Sequence, residues 1–164
     1  MKKCKLMICT DYYRPGYKGG GPIKSVENLV ESLGENFSAT ILTSNRDLGS
    51  KRQFEESEMQ ITKDLTKSKI YYLRNNFSFI KEIIRQDWDV IYFNSFFSFR
   101  TVLALVCMRL CIIKLSQKAK IIIAPRGELS LETLKLKTVK KRMYIMVFRI
   151  LMPKFVFHST SNEE

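Results

Sequence analysis

The feature that most constrains the fold is a set of short, uninterrupted apolar runs. Leu6-Met7-Ile8-Cys9 and Ile121-Ile122-Ile123-Ala124 have strand length, yet they do not alternate with polar residues. A strand of this kind needs both faces covered, which is the usual condition of a parallel sheet flanked by helices. Strand-length runs are read at residues 5–10, 38–43, 69–74, 89–93, 120–124 and 155–158. Helical spacing is read at 22–35, 77–86, 97–115 and 131–151. In the first helix Val26, Leu29, Val30 and Leu33 recur at three- and four-residue spacing, and Pro22 stands in the first turn, where its missing N–H is harmless. Asn76 is expected to cap the second helix. Residues 45–67 are polar without a sustained period and are expected to form a long excursion holding a short strand or hairpin. Strand and helix alternate, which predicts an α/β fold: a Rossmann-like, doubly wound, mostly parallel sheet with helices on both faces.

In such a sheet ligands bind beyond the carboxyl ends of the strands. The expected site is therefore made by residues 11–21, 94–100 and 125–130. The first of these loops carries Gly19-Gly20-Gly21 directly before Pro22. Its amides, together with the helix N-terminus behind them, can receive a phosphate, and the competing reading is a turn without a ligand. Two better-known phosphate loops do not fit. A Walker loop needs Gly-Lys-Ser in succession, but Pro22-Ile23 separates Gly21 from Lys24-Ser25. A dinucleotide fingerprint needs G-x-G-x-x-G and an acidic residue after the second strand, where this chain has Thr43-Ser44-Asn45. In the third loop Pro125 and Gly127 set a turn and aim Arg126 at a phosphate or carboxylate. The structural alternative for this loop is Glu128 as a helix N-terminal charge with Ser130 as cap.

Charge narrows the class of partner. The chain has 164 residues and a formal net charge of +12, which favours an anionic partner. No helix-turn-helix, zinc finger or aromatic RNA-binding signature accompanies it, so nucleic acid is not expected. The basic stretch containing Lys135, Lys137, Lys140, Lys141 and Arg142 is read as a solvated helix face or as a contact for anionic lipid, with Lys137, Lys140 and Lys141 as membrane-facing candidates. Cys4, Cys9, Cys107 and Cys111 read as small buried hydrophobes. With His158 as the single histidine, no metal site is expected. Asp87-Trp88-Asp89 imitates an acidic metal-diphosphate motif, but it precedes a strand and is read as solvated acids at the far end of the sheet. The apolar run 102–115 is interrupted by Arg109 and Lys114 and is too short to span a bilayer. No export signal is read, so the expected location is the cytoplasm, with peripheral contact at the inner face of the membrane.

Taken in order, "DYYRPGYKGGGPIKSVENLVESL", "WDVIYFNSFFS", "IIIAPRGELS", "LKLKTVKKRMY" and "FHSTSNEE" resemble the N-terminal domain of GT4-like glycosyltransferases of the GT-B fold, over nearly the whole chain. The resemblance implies a domain on the acceptor side of an interdomain cleft, and sugar transfer with retention of anomeric configuration, without a metal or other cofactor. It implies that Gly19, Gly20 and Gly21 face the diphosphate of a nucleotide-sugar donor, and that Arg126, Gly127 and Glu128 face the cleft and the acceptor. Asn94 stands where many relatives have histidine. With Arg126 it is the candidate for a catalytic role. His158 and Glu164 match the stretch that leads into the family's second domain.

That second domain carries most of the nucleotide contacts and a glutamate pair spaced E-x7-E. Here that spacing occurs only as Glu27 and Glu35 on the first helix, where it is a coincidence. The chain is therefore expected to be one half of a cell-envelope polysaccharide glycosyltransferase, inactive alone. Its acceptor is expected to be a saccharide or lipid-linked molecule. Whether it is a fragment, a truncated gene or half of a split enzyme is open at this point. The alternative from another class is a non-catalytic α/β module that binds a partner or an anionic membrane surface.

Overall fold

The structure is a computed structural model that describes residues 3–66, 68–85, 87–110, 118–128, 144–146, 148 and 155–159. Strands β1 (Cys4–Cys9), β2 (Phe37–Ser44), β3 (Lys69–Leu73), β4 (Val90–Phe93), β5 (Lys120–Ile123) and β6 (Phe155–Phe157) form one sheet in the order β3-β2-β1-β4-β5-β6. Every pairing is parallel, for example Leu6 with Ala39 on one side and with Val90 on the other. The helices are α1 (Gly21–Ser32), α2 (Glu56–Leu65), α3 (Asn76–Ile84) and α4 (Phe99–Arg109).

The uninterrupted apolar runs are explained by two cores, one on each sheet face. Leu6 and Ile8 point to one face with Ile41 and Ile70, where they meet Ile23, Val26 and Val30 of α1. Met7 and Cys9 point to the other with Leu42 and Ile91, where they meet Phe79 and Ile83 of α3 and Ala104 and Leu105 of α4. Because strand side chains alternate between faces, a run that is apolar at every position fills both. Each fully buried Leu, Ile or Phe contributes about 1.5–3 kcal/mol. This is the α/β Rossmann-like fold expected from the sequence.

Two local expectations are corrected. The excursion after β2 carries a helix, α2, and among the described residues no strand or hairpin. The helix starts with a capping box in which the Glu55 and Glu58 side chains each meet the other's backbone N–H, and Arg52 bonds Glu58 at 2.7 Å. It buries only Thr62, leaving Ile61 and Leu65 exposed, so its sequence has no inward apolar stripe to read. The cap of α3 is Asn75, whose side chain accepts from Ser78 N at 2.9 Å, whereas Asn76 is the first helical residue. Of the basic helix expected at 131–151, Tyr144–Met146 and Phe148 are described and helical. Lys135, Lys137, Lys140, Lys141 and Arg142 lie outside the described residues, as do Cys111, Ser130 and Glu164. Among the described residues no helix is long and apolar enough to cross a membrane.

Candidate functional site at the sheet switch point

β1 lies in the middle of the sheet. The chain leaves it towards β2 on one side, while β4, on its other side, leads on to β5. The loops after β1 and β4 therefore diverge at the carboxyl ends of the strands, the position where ligands bind in open α/β sheets. The three loops expected to form the site meet there through side chains.

Asn94 is the joint between them. It is 2% exposed, and its backbone N–H donates to Cys9 O at 2.8 Å. Its Nδ2 donates to Pro22 O at 3.1 Å and lies 3.5 Å from Thr10 Oγ1, while its Oδ1 accepts from Arg126 Nε at 2.8 Å. Both ends of the carboxamide are thus engaged by the protein. Asn94 ties the start of α1 to Arg126, which is a positioning arrangement.

Arg126 is held in the left-handed region at φ 54°, followed by Gly127 at φ 78°. For a residue with a Cβ this conformation costs about 1–2 kcal/mol. The surroundings that enforce it also fix the guanidinium. Nε meets Asn94, and Nη2 donates to Tyr92 Oη at 2.7 Å. Nη1 has no hydrogen-bond partner among the described residues. Tyr92 Oη also lies 2.9 Å from His158 Nδ1. Since arginine only donates, Tyr92 accepts from Arg126, and its hydroxyl joins His158 to the same network.

Glu128 links the third loop to the second. Its carboxylate reaches across to the β4–α4 loop, accepting from Ser95 Oγ at 2.7 Å, Phe96 N at 2.6 Å and Phe97 N at 3.1 Å. Burial pushes its pKa above the usual glutamate value, outweighing these bonds. The residue clamps the two loops together.

The three glycines have three different physical reasons. A Cβ on Gly19 would lie 3.0 Å from Ile23 Cδ1 and 3.2 Å from Tyr12 Cβ, so a side chain there would push these neighbours back by a few tenths of an ångström. Gly20 has φ 58° and serves as N-cap of α1, where open space surrounds the position but the backbone disfavours a side chain. Gly21 meets neither constraint: a Cβ there would touch nothing within 4 Å. Pro22 has no N–H, and Ile23 and Lys24 donate to Gly20 O, so the exposed Gly21 amide is the first-turn donor left to meet solvent or an anion.

Sequence reasoning missed four residues of this region. Asp11 Oδ1 accepts from Ser98 Oγ at 2.7 Å, and Ser98 Oγ in turn accepts from Arg100 N, capping α4. Arg100 is largely buried near Asp11, Cys9 and Tyr12, and burial pulls its pKa below the ordinary arginine value. Its Nη1 is buried and has no hydrogen-bond partner among the described residues. Asp47, far along the chain, binds the glycine loop directly. The one signal for the first three was their place after β1 and β4, but spacing gave no reason to select them from their loops. Asp87-Trp88-Asp89 sits at the opposite end of the sheet, as expected. Trp88 is buried and donates to Ile83 O, and the exposed Asp89 accepts from Lys5 N at 2.8 Å. Among the described residues no group of three or more His, Cys, Asp or Glu could hold a metal.

Compared with protein-family models, curated proteins and solved structures, the chain matches none of them.

Proposed function

We propose that this domain is the acceptor-side half of a retaining GT-B glycosyltransferase, moving a sugar from a nucleotide-sugar to a saccharide or lipid-linked acceptor. The observation that carries the reading is Arg126: a guanidinium pinned by Asn94 and Tyr92 in an unfavourable backbone conformation, with Asn94 also bonded to Pro22 O, one residue beyond Gly21. A preorganised cation and amide are what a departing diphosphate requires, because charge grows on it as the glycosidic bond to the donor breaks. Charge-assisted hydrogen bonds of this kind contribute about 1.5–3 kcal/mol each. The reading assigns the remaining nucleotide contacts to a second Rossmann-like domain that closes over these loops.

The test is sugar transfer by the chain alone and together with a second domain bearing the E-x7-E pair, using a panel of nucleotide-sugars and of saccharide and lipid acceptors. Transfer is expected only from the pair. Turnover at ordinary enzymatic rates by the chain alone, or none from the pair across the panel, would count against the proposal.

A second, non-catalytic reading is favoured by α3. Phe77 is 80% and Ile84 52% exposed, and with Ile80 they line a shallow depression of about 370 Å³ beside Lys81 and Arg85. Apolar residues flanked by cations suit a module that rests on an anionic membrane surface.

A further inference from the structure

The glycine loop already holds an anion of its own. Tyr17 N donates to Asp47 Oδ2 at 3.2 Å, and Lys18 N donates to both carboxylate oxygens, at 3.2 and 3.3 Å. Leu48 N closes the other side at 2.8 Å from Oδ1. Gly16 is the counterpart of this arrangement, because a Cβ there would lie 2.9 Å from Asp47 Oδ1. Asp47 is 8% exposed. Its own loop is anchored to the end of β3 and to the approach to α2, with Asn45 N donating to Leu73 O and Phe54 N to Asn45 O. Successive backbone N–H groups converging on one point make an anion-binding concavity.

We infer that Asp47 is the positioning residue of the glycine loop: an internal carboxylate that fills the concavity at Tyr17 and Lys18 and so presents Gly20 and Gly21 at the carboxyl ends of the strands. Burial alone would raise the Asp47 pKa, but the amides of Tyr17, Leu48 and Lys18 outweigh it and hold the carboxyl below its usual range, in keeping with an anion bound by donors. A ligand phosphate is thereby kept out of the first half of the loop and directed to its second half. This part of the inference rests on the reading of the loops at the strand ends as an anion site, whereas the clasp itself does not.

The experiment separates the two. Amide hydrogen exchange is measured by NMR at Tyr17, Lys18 and Leu48 in the wild type, Asp47→Asn and Asp47→Ala. Binding of inorganic pyrophosphate is followed at the Gly20, Gly21 and Ile23 amides. In Asp47→Ala, exchange at Tyr17 and Lys18 should rise about tenfold or more, since each amide loses a charged acceptor. Pyrophosphate affinity should fall by about fivefold or more as the second half of the loop loses its support. Asp47→Asn keeps the shape and one acceptor oxygen, so both effects should be intermediate. Added formate should restore part of the protection in Asp47→Ala by occupying the vacated concavity, a rescue that a general loss of packing would not allow. Unchanged exchange in both variants would overturn the clasp. Faster exchange with unchanged pyrophosphate affinity would overturn the positioning role. A wild type that binds no pyrophosphate would overturn the anion reading of these loops and the positioning role with it, leaving exchange to decide the clasp.

Discussion

Gly19, Gly20 and Gly21 look alike in the sequence and respond differently to the same substitution. Gly21→Ala should be the mildest, within about 0.5 kcal/mol of the wild type, because the gain from a narrower unfolded ensemble is offset by the crowding Pro22 imposes on a preceding helical residue with a Cβ. Gly20→Ala should cost about 1–3 kcal/mol, because φ 58° with ψ −124° lies outside every region a residue with a Cβ favours. Gly19→Ala should also destabilise, by displacing Ile23. Urea denaturation of the three variants checks the order, and equal stabilities would refute it. Glu128 gives a prediction in pH. Its folded pKa is raised, so between the ordinary glutamate value and the raised one the native state keeps a proton that the unfolded chain has released. Stability from this group therefore falls as pH rises through that window. The wild type should lose stability relative to Glu128→Gln from about pH 4.3 upward, then level off. A difference that stays flat with pH would contradict the burial argument. Arg126 was legible as a turn residue beyond β5 because Pro125 and Gly127 frame it. Its surroundings were not, since Tyr92 and Asn94 at the end of β4 and His158 after β6 are brought beside it only by the sheet order.

At the scale of elements, the cap of α3 distinguishes two adjacent asparagines. Asn75→Ala should cost about 1 kcal/mol, whereas Asn76→Ala should remain within about 0.5 kcal/mol of the wild type. Thermal or urea unfolding of both variants reads this directly, and the reverse order would move the helix start by one residue. The inner strands were legible because each must be apolar on both faces, which writes an unbroken run into the sequence, whereas β6 is an edge strand with Val156 and Phe157 exposed and its apolar run does not come from burial. α1 and α3 were legible because each buries one stripe. α2 was not, because a helix that packs through a single buried threonine carries no period to detect. What specifies it is its capping box, a signal of two glutamates three residues apart that is easily lost in a charged stretch.

For the whole molecule, the charge of +12 and the exposed stripe on α3 make a joint prediction under the second reading of function. The protein should sediment with anionic vesicles at low salt and be released at high salt, with each cation near the surface contributing about 1 kcal/mol. Phe77→Ser with Ile84→Ser tests the α3 stripe, and Lys137→Glu with Lys140→Glu and Lys141→Glu tests the basic segment. Wild-type protein that stays in the supernatant with anionic vesicles at low salt would remove the membrane from the account. The strand order has a consequence for synthesis. β1 is made first among the strands, yet it is completed on one side only by β4, with Leu6 beside Val90, 84 residues later. At roughly 5–20 residues per second the ribosome needs about 4–17 s to cover that distance. Through that interval the emerging chain has Met7 and Cys9 without Ile91 and Phe93, and a row of unpaired backbone groups along one side of its most apolar segment. Nascent chains arrested before β4 should therefore be held by chaperones, and those arrested after it has left the exit tunnel should be released. The strand most deeply enclosed in the finished domain is the one that waits longest for its second neighbour.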